Sequence, residues 1–249
     1  MPDIIIGKNH VFEALRAGRA INKILIEKNT SRSSIENILF LCRENKVPIE
    51  FVGKDAINRI SPSGRNQNII AIAAVKDYVK LEDILSLPKS KNEPPFFVVL
   101  DGIEDPQNLG AILRSAEATG VHGVIIRERR AVGLTEAVGL SSAGAVEYVP
   151  VARVSNIAQT LDTLKSRHEM AVWITGIDMQ GDKDFRDVDY TGGTVLVIGG
   201  EGTGISRLVR AKCDILARIP MKGKITSLNA SVAAALVMYE VMRQRDKHI

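Results

Sequence analysis

The sequence predicts an α/β protein with a small first domain and a larger second domain built on a mostly parallel sheet. Short apolar segments typical of strands alternate with segments of helical periodicity along the chain. Two apolar runs, Phe96–Ile103 and Thr194–Gly200, are continuous, as expected for strands buried on both faces of a parallel sheet. A stretch rich in Lys, Ser and Pro, Leu87–Pro95, separates the two halves.

The first domain is predicted to cover residues 1–75 as a small α/β sandwich. A helix is expected over Asn9–Gly18, because glycine commonly ends a helix, and a polar loop over Ser61–Asn68. A second helix is expected where apolar residues share one helix face, at Ile35, Ile38, Leu39 and Cys42. The strands are predicted over Ile21–Lys28, Val47–Val52 and Ile69–Val75.

Residues 76–95 are predicted to form an extended linker, and residues 96–249 the second domain. Its first helix has a cap at Asp105, a proline at Pro106 and a stop at Gly120. The apolar stripe of that helix consists of Leu109, Ile112, Leu113 and Ala116. Further strands are expected in VHGVIIR, VEYVPVA, MAVWITG and DILARIP. The closing helix is predicted to begin at Ser227 and to bury Leu228, Val232, Leu236 and Tyr239.

The positive charge is confined to the first domain. The chain of 249 residues has a formal net charge of +4, and residues 1–75 account for all of it, with 11 Lys+Arg against 7 Asp+Glu. A basic module beside a neutral one indicates a polyanionic partner, although a solvated face would also account for so small an excess. The absence of a signal peptide, of a long apolar run and of metal-ligand spacing predicts a cytoplasmic protein without a membrane span or metal.

A glycine-rich loop follows one of the apolar strands, in VLVIGGEGTGIS from Val195 to Ser206. It is not a phosphate-binding Walker A loop, because Ile205 stands where the motif requires its lysine, immediately before Ser206. It is not a dinucleotide loop either, because Arg207 replaces the third glycine. The carboxylate of Glu201 would repel an anion, so the loop is expected to meet a neutral or cationic ligand. A tight strand-to-helix turn is the alternative.

Three segments together resemble a known family. DPQNLGAILRSA, IGGEGTGIS and IPMKGKITSLNASVAAAL are similar to the three motifs of the SpoU branch of knotted RNA methyltransferases. These enzymes move a methyl group from S-adenosylmethionine to a ribose 2′-oxygen. GKNHVFEALRAG resembles the start of the substrate-binding domain of the bacterial ribosomal RNA guanosine 2′-O-methyltransferases. That subfamily usually carries His-Gln-Gly where this chain has Asn66-Gln67-Asn68, which leaves the RNA target open.

The resemblance implies the fold and the site. A trefoil-knotted second domain would bind S-adenosylmethionine through the backbone of Gly199, Ile219 and Leu228, with Gly200, Gly202 and Met221 lining the pocket. The implied catalytic residues are Asn108, Arg114, Glu201, Ser227 and Asn229. Arg114 is expected to orient the 2′-hydroxyl or to pair with the adjacent phosphate, because an arginine is too basic to act as a general base. Taken singly, each of these residues could instead be structural.

The chemistry implies an RNA substrate, because only RNA has a 2′-hydroxyl. The resemblance further implies that this RNA is ribosomal RNA of the large subunit. The candidate phosphate contacts are Lys8, Arg16, Arg19, Arg32 and Arg65. The family also implies a homodimer formed by the second domain, with sites completed across the interface. The last helix could supply that interface through Met238, Tyr239 and Met242, unless these residues belong to the core of the chain itself.

Three other functions remain open at this point. The chain could act on transfer RNA or confer antibiotic resistance with the same chemistry. It could be an RNA-binding protein that has lost catalysis, although intact Asn108, Arg114, Glu201, Ser227 and Asn229 argue against that. It could also be a nucleotide hydrolase, which the missing lysine of the glycine loop disfavours.

Overall fold

The structure is a computed structural model that describes residues 3–60, 68–74, 76–129 and 131–246. The chain divides into two compact units. The first contains the residues up to Asp77 together with Leu134–Tyr148, and the second contains Tyr78–Gly133 and the residues from Val149 onward. The strands are β1 (Asp3–Ile6), β2 (Ile21–Glu27), β3 (Ile49–Val52), β4 (Ile69–Ala73), β5 (Phe96–Asp101), β6 (Gly123–Arg127), β7 (Val151–Val154), β8 (Val172–Ile177), β9 (Lys183–Asp184), β10 (Gly193–Gly199) and β11 (Ile215–Arg218).

The helices lie between these strands in chain order. They are α1 (Lys8–Arg16), α2 (Glu36–Glu44), α3 (Lys54–Ile60), α4 (Leu81–Lys91), α5 (Pro106–Ala118), α6 (Glu136–Ser141), α7 (Ile157–Ser166), α8 (Arg207–Arg210) and α9 (Ala230–Asp246). Among the described residues, no helix has both the length and the apolar character needed to cross a membrane.

The first unit is built on a four-stranded mixed sheet in the order β1-β4-β2-β3. β4 is antiparallel to both of its neighbours, and β3 is parallel to β2. Side chains of α1, α2 and the sheet form a single core, with Val11, Ile24 and Ile38 almost fully buried. Ile57 of α3 packs with Leu25 and Ile70 in a second, smaller apolar cluster. The fold therefore buries the apolar face of α2, as its periodicity predicted.

The segment Leu134–Tyr148 belongs to the first unit, although the prediction assigned it to the second domain. A buried ion network ties it there. The guanidinium of Arg19 contacts the carboxylate of Asp3 and donates to Glu147 Oε1 at 2.5 Å, and Lys76 Nζ lies 3.6 Å from Glu147 Oε2. The predicted strand begins at Val146, but residues 145–147 form a short 3-10 helix that carries Glu147 into this network. The strand of this region is confined to β7.

The second unit contains a seven-stranded sheet in the order β7-β6-β5-β10-β8-β11-β9, and every pairing in it is parallel. This confirms the predicted fold class. In the register of this sheet, Asp101 lies beside Gly199 and Ile177 lies beside Ile198. The carboxyl ends of β5, β10 and β8 therefore meet at one edge, which is where parallel α/β sheets usually bind ligands.

The predicted extended linker is instead largely a helix, α4. Leu81, Ile84, Leu85 and Pro88 recur at helical spacing, and Ile84 and Leu85 are buried in the core of the second unit. The side chain of Asp83 accepts a hydrogen bond from the Lys80 amide at the start of the helix. Composition was misleading here, because the lysines and serines occupy the solvent face while the apolar residues form a continuous stripe.

The closing helix differs from the prediction in its start and in its buried face. α9 begins at Ala230, and Asn229 caps it by accepting hydrogen bonds from the amides of Ser231 and Val232. Ser227 therefore does not cap this helix. Against α5, the helix buries Ala234, Val237, Met238 and Val241, whereas the predicted stripe of Leu228, Val232, Leu236 and Tyr239 is 37% to 48% exposed. The helix is apolar on two sides, so periodicity alone could not identify the buried one.

A buried histidine lies beside the start of β5. His122 is only 2% exposed, and its Nδ1 accepts a hydrogen bond from the Phe96 amide at 3.2 Å. Its Nε2 lies 3.1 Å from Glu93 Oε2. An accepting Nδ1 requires the proton to be on Nε2, which is the neutral tautomer. Burial and the nearby charge of Lys91 lower the pKa of His122, and they outweigh the opposing effect of Glu93.

Candidate active site

A cleft of about 1130 Å³ opens at the carboxyl ends of β8, β10 and β11. Its walls are the glycine loop, residues 199–205, and the segment 219–229, which we call the strap. The structure brings together in this cleft all six residues predicted to bind the cofactor: Gly199, Gly200, Gly202, Ile219, Met221 and Leu228.

The glycine loop folds so tightly that side chains are excluded at two positions. A Cβ on Gly199 would lie 2.1 Å from the carbonyl carbon of Gly204, and a Cβ on Gly200 would lie 2.1 Å from the oxygen of Gly102. The amide of Gly204 donates back to the oxygen of Gly200 at 2.9 Å. Gly202 has a φ of +79°, which other residues rarely adopt. The glycines are therefore required by close backbone packing as well as by any ligand.

Asp101, the last residue of β5, fixes both ends of this loop. Its backbone oxygen accepts a hydrogen bond from the Gly200 amide at 2.9 Å, and its buried Oδ2 accepts one from the Ser206 amide at 2.8 Å. Arg127 Nη2 lies 3.4 Å from Asp101 Oδ1. Asp101 is not among the functional residues predicted from the sequence. The available signal was a carboxylate directly after five apolar residues, at the end of a strand predicted to be buried.

Three of the predicted catalytic residues form one hydrogen-bonded cluster at the mouth of the cleft. Asn108 Nδ2 and Asn229 Nδ2 both donate to Glu201 Oε1, at 2.9 and 2.6 Å. Asn229 Nδ2 also donates to Asn108 Oδ1 at 2.9 Å. The motifs they come from are about 90 and 30 residues apart in the chain, and α5, the glycine loop and the start of α9 bring them together. Two amides thus fix the orientation of the Glu201 carboxylate.

Arg114 and Ser227 lie outside this cluster. Arg114 is exposed on α5 and makes no hydrogen bond or ion pair with the rest of the described chain. Ser227 lines the cleft, also without a hydrogen bond to the described residues. Glu201 and Asn108 bind each other and Asn229, so neither orients Arg114. Within one chain, Arg114 is therefore separate from the three side chains of the cluster.

The strap offers unused backbone groups to a ligand. Over Ile219–Leu228, none of the amides or carbonyls forms a backbone hydrogen bond within the described part of the chain. A purine ligand needs such donors and acceptors, while the Glu201 carboxylate in the same cleft suits a cationic group. These residues fit S-adenosylmethionine, which joins an adenine to a sulfonium cation. No group of three or more potential metal-ligating His, Cys, Asp or Glu side chains occurs among the described residues.

The predicted RNA contacts of the first unit have different environments. Arg16 and Arg32 are exposed, and Lys8 is half-buried. Arg65 lies outside the described residues. Arg19 was wrongly predicted as a phosphate contact: its side chain is 8% exposed and is engaged by Asp3, Glu147 and the oxygen of Ala74. The two carboxylates neutralise the charge of this guanidinium, and the carbonyl accepts a further hydrogen bond from it. The side chain therefore stays inside the fold.

Comparison with known proteins gives consistent matches over nearly the whole chain. Residues 95–239 match the SpoU rRNA Methylase family, and residues 4–79 match the family described as RNA 2′-O ribose methyltransferase substrate binding. A Bacillus subtilis (strain 168) protein assigned to the TrmH family of tRNA/rRNA methyltransferases, YacO, is 44% identical over 98% of this chain and 96% of its own length.

Two solved structures share the fold. The SpoU methyltransferase AviRb of Streptomyces viridochromogenes, in complex with the cofactor AdoMet, has a TM-score of 0.84 and 27% identity over 98% of this chain and 91% of its own. An AdoMet-bound rRNA methyltransferase of Sinorhizobium meliloti has a TM-score of 0.78 and 25% identity over 97% of this chain and 87% of its own.

Proposed function

We propose a substrate for this chain, starting from the family to which it belongs. The chain is a member of the SpoU family of S-adenosylmethionine-dependent RNA 2′-O-methyltransferases. The proposed substrate is the ribose of a guanosine in large-subunit ribosomal RNA, methylated in the cytoplasm. The supporting observations are the match of residues 95–239 to the SpoU rRNA Methylase family and the likeness of 97% of the chain to an rRNA methyltransferase of known structure. The name of the Bacillus relative covers both RNA classes, so transfer RNA is the alternative.

S-adenosylmethionine supplies an electrophilic methyl group. We assign its binding to the backbone of Gly199, Ile219 and Leu228, with Gly200, Gly202 and Met221 around it. The unbonded backbone groups of the strap support this assignment. The trefoil knot stays a prediction.

The Glu201 cluster is proposed to hold the target nucleotide. Glu201 Oε1 accepts from both asparagines, and Oε2 has no partner among the described residues. A fixed carboxylate with one unused oxygen at the cleft mouth can accept a hydrogen bond from the entering nucleotide, and thereby place its 2′-oxygen in line with the methyl group. In this assignment Asn108 and Asn229 are positioning residues, and the Ser227 hydroxyl contacts the cofactor or the ribose.

Arg114 is proposed to act across a homodimer. It reaches no member of the Glu201 cluster in its own chain, and the exposed apolar side of α9, with Val232, Leu236 and Tyr239, suits pairing of two copies. Met238 lies in the core of its own chain, so it is not part of the proposed interface. The Arg114 guanidinium of one copy would pair with the phosphate next to the target ribose in the other. An R114A protein that methylates at the wild-type rate would contradict this role.

The test of the proposed function is methyl transfer from labelled S-adenosylmethionine to unmethylated large-subunit ribosomal RNA, with transfer RNA in parallel and nucleosides mapped by mass spectrometry. The expected product is a single 2′-O-methylguanosine in the ribosomal RNA. Label confined to transfer RNA would overturn the substrate and keep the chemistry. An E201Q protein is the matched control, because it keeps the cluster geometry and loses the charge of the carboxylate.

A further inference from the structure

The strap and its flanking elements carry positive charge with no acid nearby in the chain. Between Asp214 and Glu240 the sequence contains three cations and no Asp or Glu: Arg218, Lys222 and Lys224. This is unexpected in the second unit, because residues 76–249 have 22 Lys+Arg and 22 Asp+Glu and are neutral as a whole. The local excess lies at the cleft, where the RNA must enter.

The two lysines lie on the outer side of the strap. Met221, Gly223 and Ile225 line the cleft, whereas Lys222 and Lys224 do not. Residues 221–225 are all exposed and the chain bends at Gly223 and Lys224, so the two lysines lie on the outer rim of the strap and not in the cofactor space. Both lysines are exposed, and neither forms an ion pair with the described residues. Arg218 differs, because its guanidinium donates to the oxygen of Gly181.

We propose that Lys222 and Lys224 bind the RNA phosphates that flank the target nucleotide. The proposal rests on the proposed function in placing the target ribose at the Glu201 cluster, a few residues from these lysines along the strap. A ribose at the cleft mouth carries its 3′- and 5′-phosphates past the rim. Two residues span at most about 7 Å of chain, and the flexible lysine side chains reach further, so the pair can contact consecutive phosphates of one strand. One strap would thus bind the cofactor on one side and RNA on the other.

The experiment compares K222A/K224A with the wild type in binding to in vitro transcribed, unmethylated large-subunit ribosomal RNA over a series of salt concentrations. Each phosphate contact to a single strand contributes about 0.7 to the salt slope, so removal of two lowers the slope by about 1.4. If the two affinities converge at 1 M salt, the variant binds about 25-fold more weakly at 0.1 M. K222R/K224R keeps both charges and is expected to bind as the wild type does.

A matched control removes the same charge elsewhere in the second unit. K89A/K183A replaces two exposed lysines outside the cleft and is expected to keep the slope. Binding of S-adenosylmethionine without RNA should be equal in all variants. An unchanged slope in K222A/K224A, or a loss of cofactor affinity in that variant, would overturn the proposal. A wild-type protein that binds the transcript and methylates nothing would contradict the proposed function, while the slopes would still decide the role of the lysines.

Discussion

Replacement of Asp101 by alanine should loosen the glycine loop and weaken cofactor binding together. The variant loses a 2.8 Å hydrogen bond from the Ser206 amide to a buried carboxylate, and a hydrogen bond to a charged acceptor contributes about 1.5–3 kcal/mol. The ion pair with Arg127 adds little, since that arginine is partly exposed and 3.4 Å away. We therefore expect the free energy of unfolding to fall by about 3 kcal/mol, and by about 1 kcal/mol in D101N, which keeps an acceptor oxygen.

The assay combines urea unfolding with titration of S-adenosylmethionine at a urea-free condition where every variant is folded. D101A loses the side-chain hydrogen bond that anchors the loop at Ser206 and keeps the backbone bond to Gly200, so we expect its affinity for the cofactor to fall about tenfold, about 1.4 kcal/mol. D105A is the matched control. It removes the helix cap that accepts from the Gln107 amide and costs about 1 kcal/mol without changing cofactor affinity. A D101A protein that is destabilised but binds the cofactor as tightly as the wild type would refute the reasoning.

Three further outcomes follow from the geometry. N229A should lower the free energy of unfolding by about 1 kcal/mol through loss of the α9 cap, and it should also slow methyl transfer. S227A should leave urea unfolding unchanged. Equal stability of the two variants would show that Asn229 does not cap the helix. G200A should lose cofactor binding because of its 2.1 Å clash, while G192A, which lies outside the cleft and has open space around its Cβ, should keep it, as measured by cofactor titration. Burial lowers the pKa of His122, so the unfolded chain binds more protons near pH 6, and the free energy of unfolding should fall as the pH drops below about 6.5. H122Q should show a shallower decline in urea unfolding over the same pH range, and an identical decline would contradict this assignment.

The sequence was most informative where short-range chemistry decides the structure. The Asp105 cap, the stripe of α5 and the continuous apolar strands are local patterns, and the structure has all of them. The predicted cofactor residues, which the structure places in one cleft, came from resemblance to a family and not from spacing. The rejection of phosphate at the glycine loop came from the residues themselves, since a missing lysine and an added carboxylate change the charge that a ligand meets.

The errors came from partners that are distant in sequence. Arg19 looks like any surface cation until the fold brings Glu147 to it from 128 positions away. Asp101 reveals its role only when the loop after β10 returns to the end of β5. The buried face of α9 depends on α5, and a helix that is apolar on both sides gives no local clue to its partner. Contacts of this kind are set by topology, which periodicity does not encode.

The discontinuity of the first unit has a consequence for biosynthesis. This unit is completed by Leu134–Tyr148, so the emerging polypeptide must expose β5, α5 and β6 before Glu147 can reach Arg19. During vectorial translation, the amino-terminal part therefore waits with Arg19 paired to Asp3 but without Glu147 until more than half of the protein has left the ribosomal exit tunnel. A single crossover between related enzymes would separate the two pieces of this unit. An exchange that keeps the unit whole therefore needs three junctions: one near Asp77, one before Leu134 and one after Tyr148.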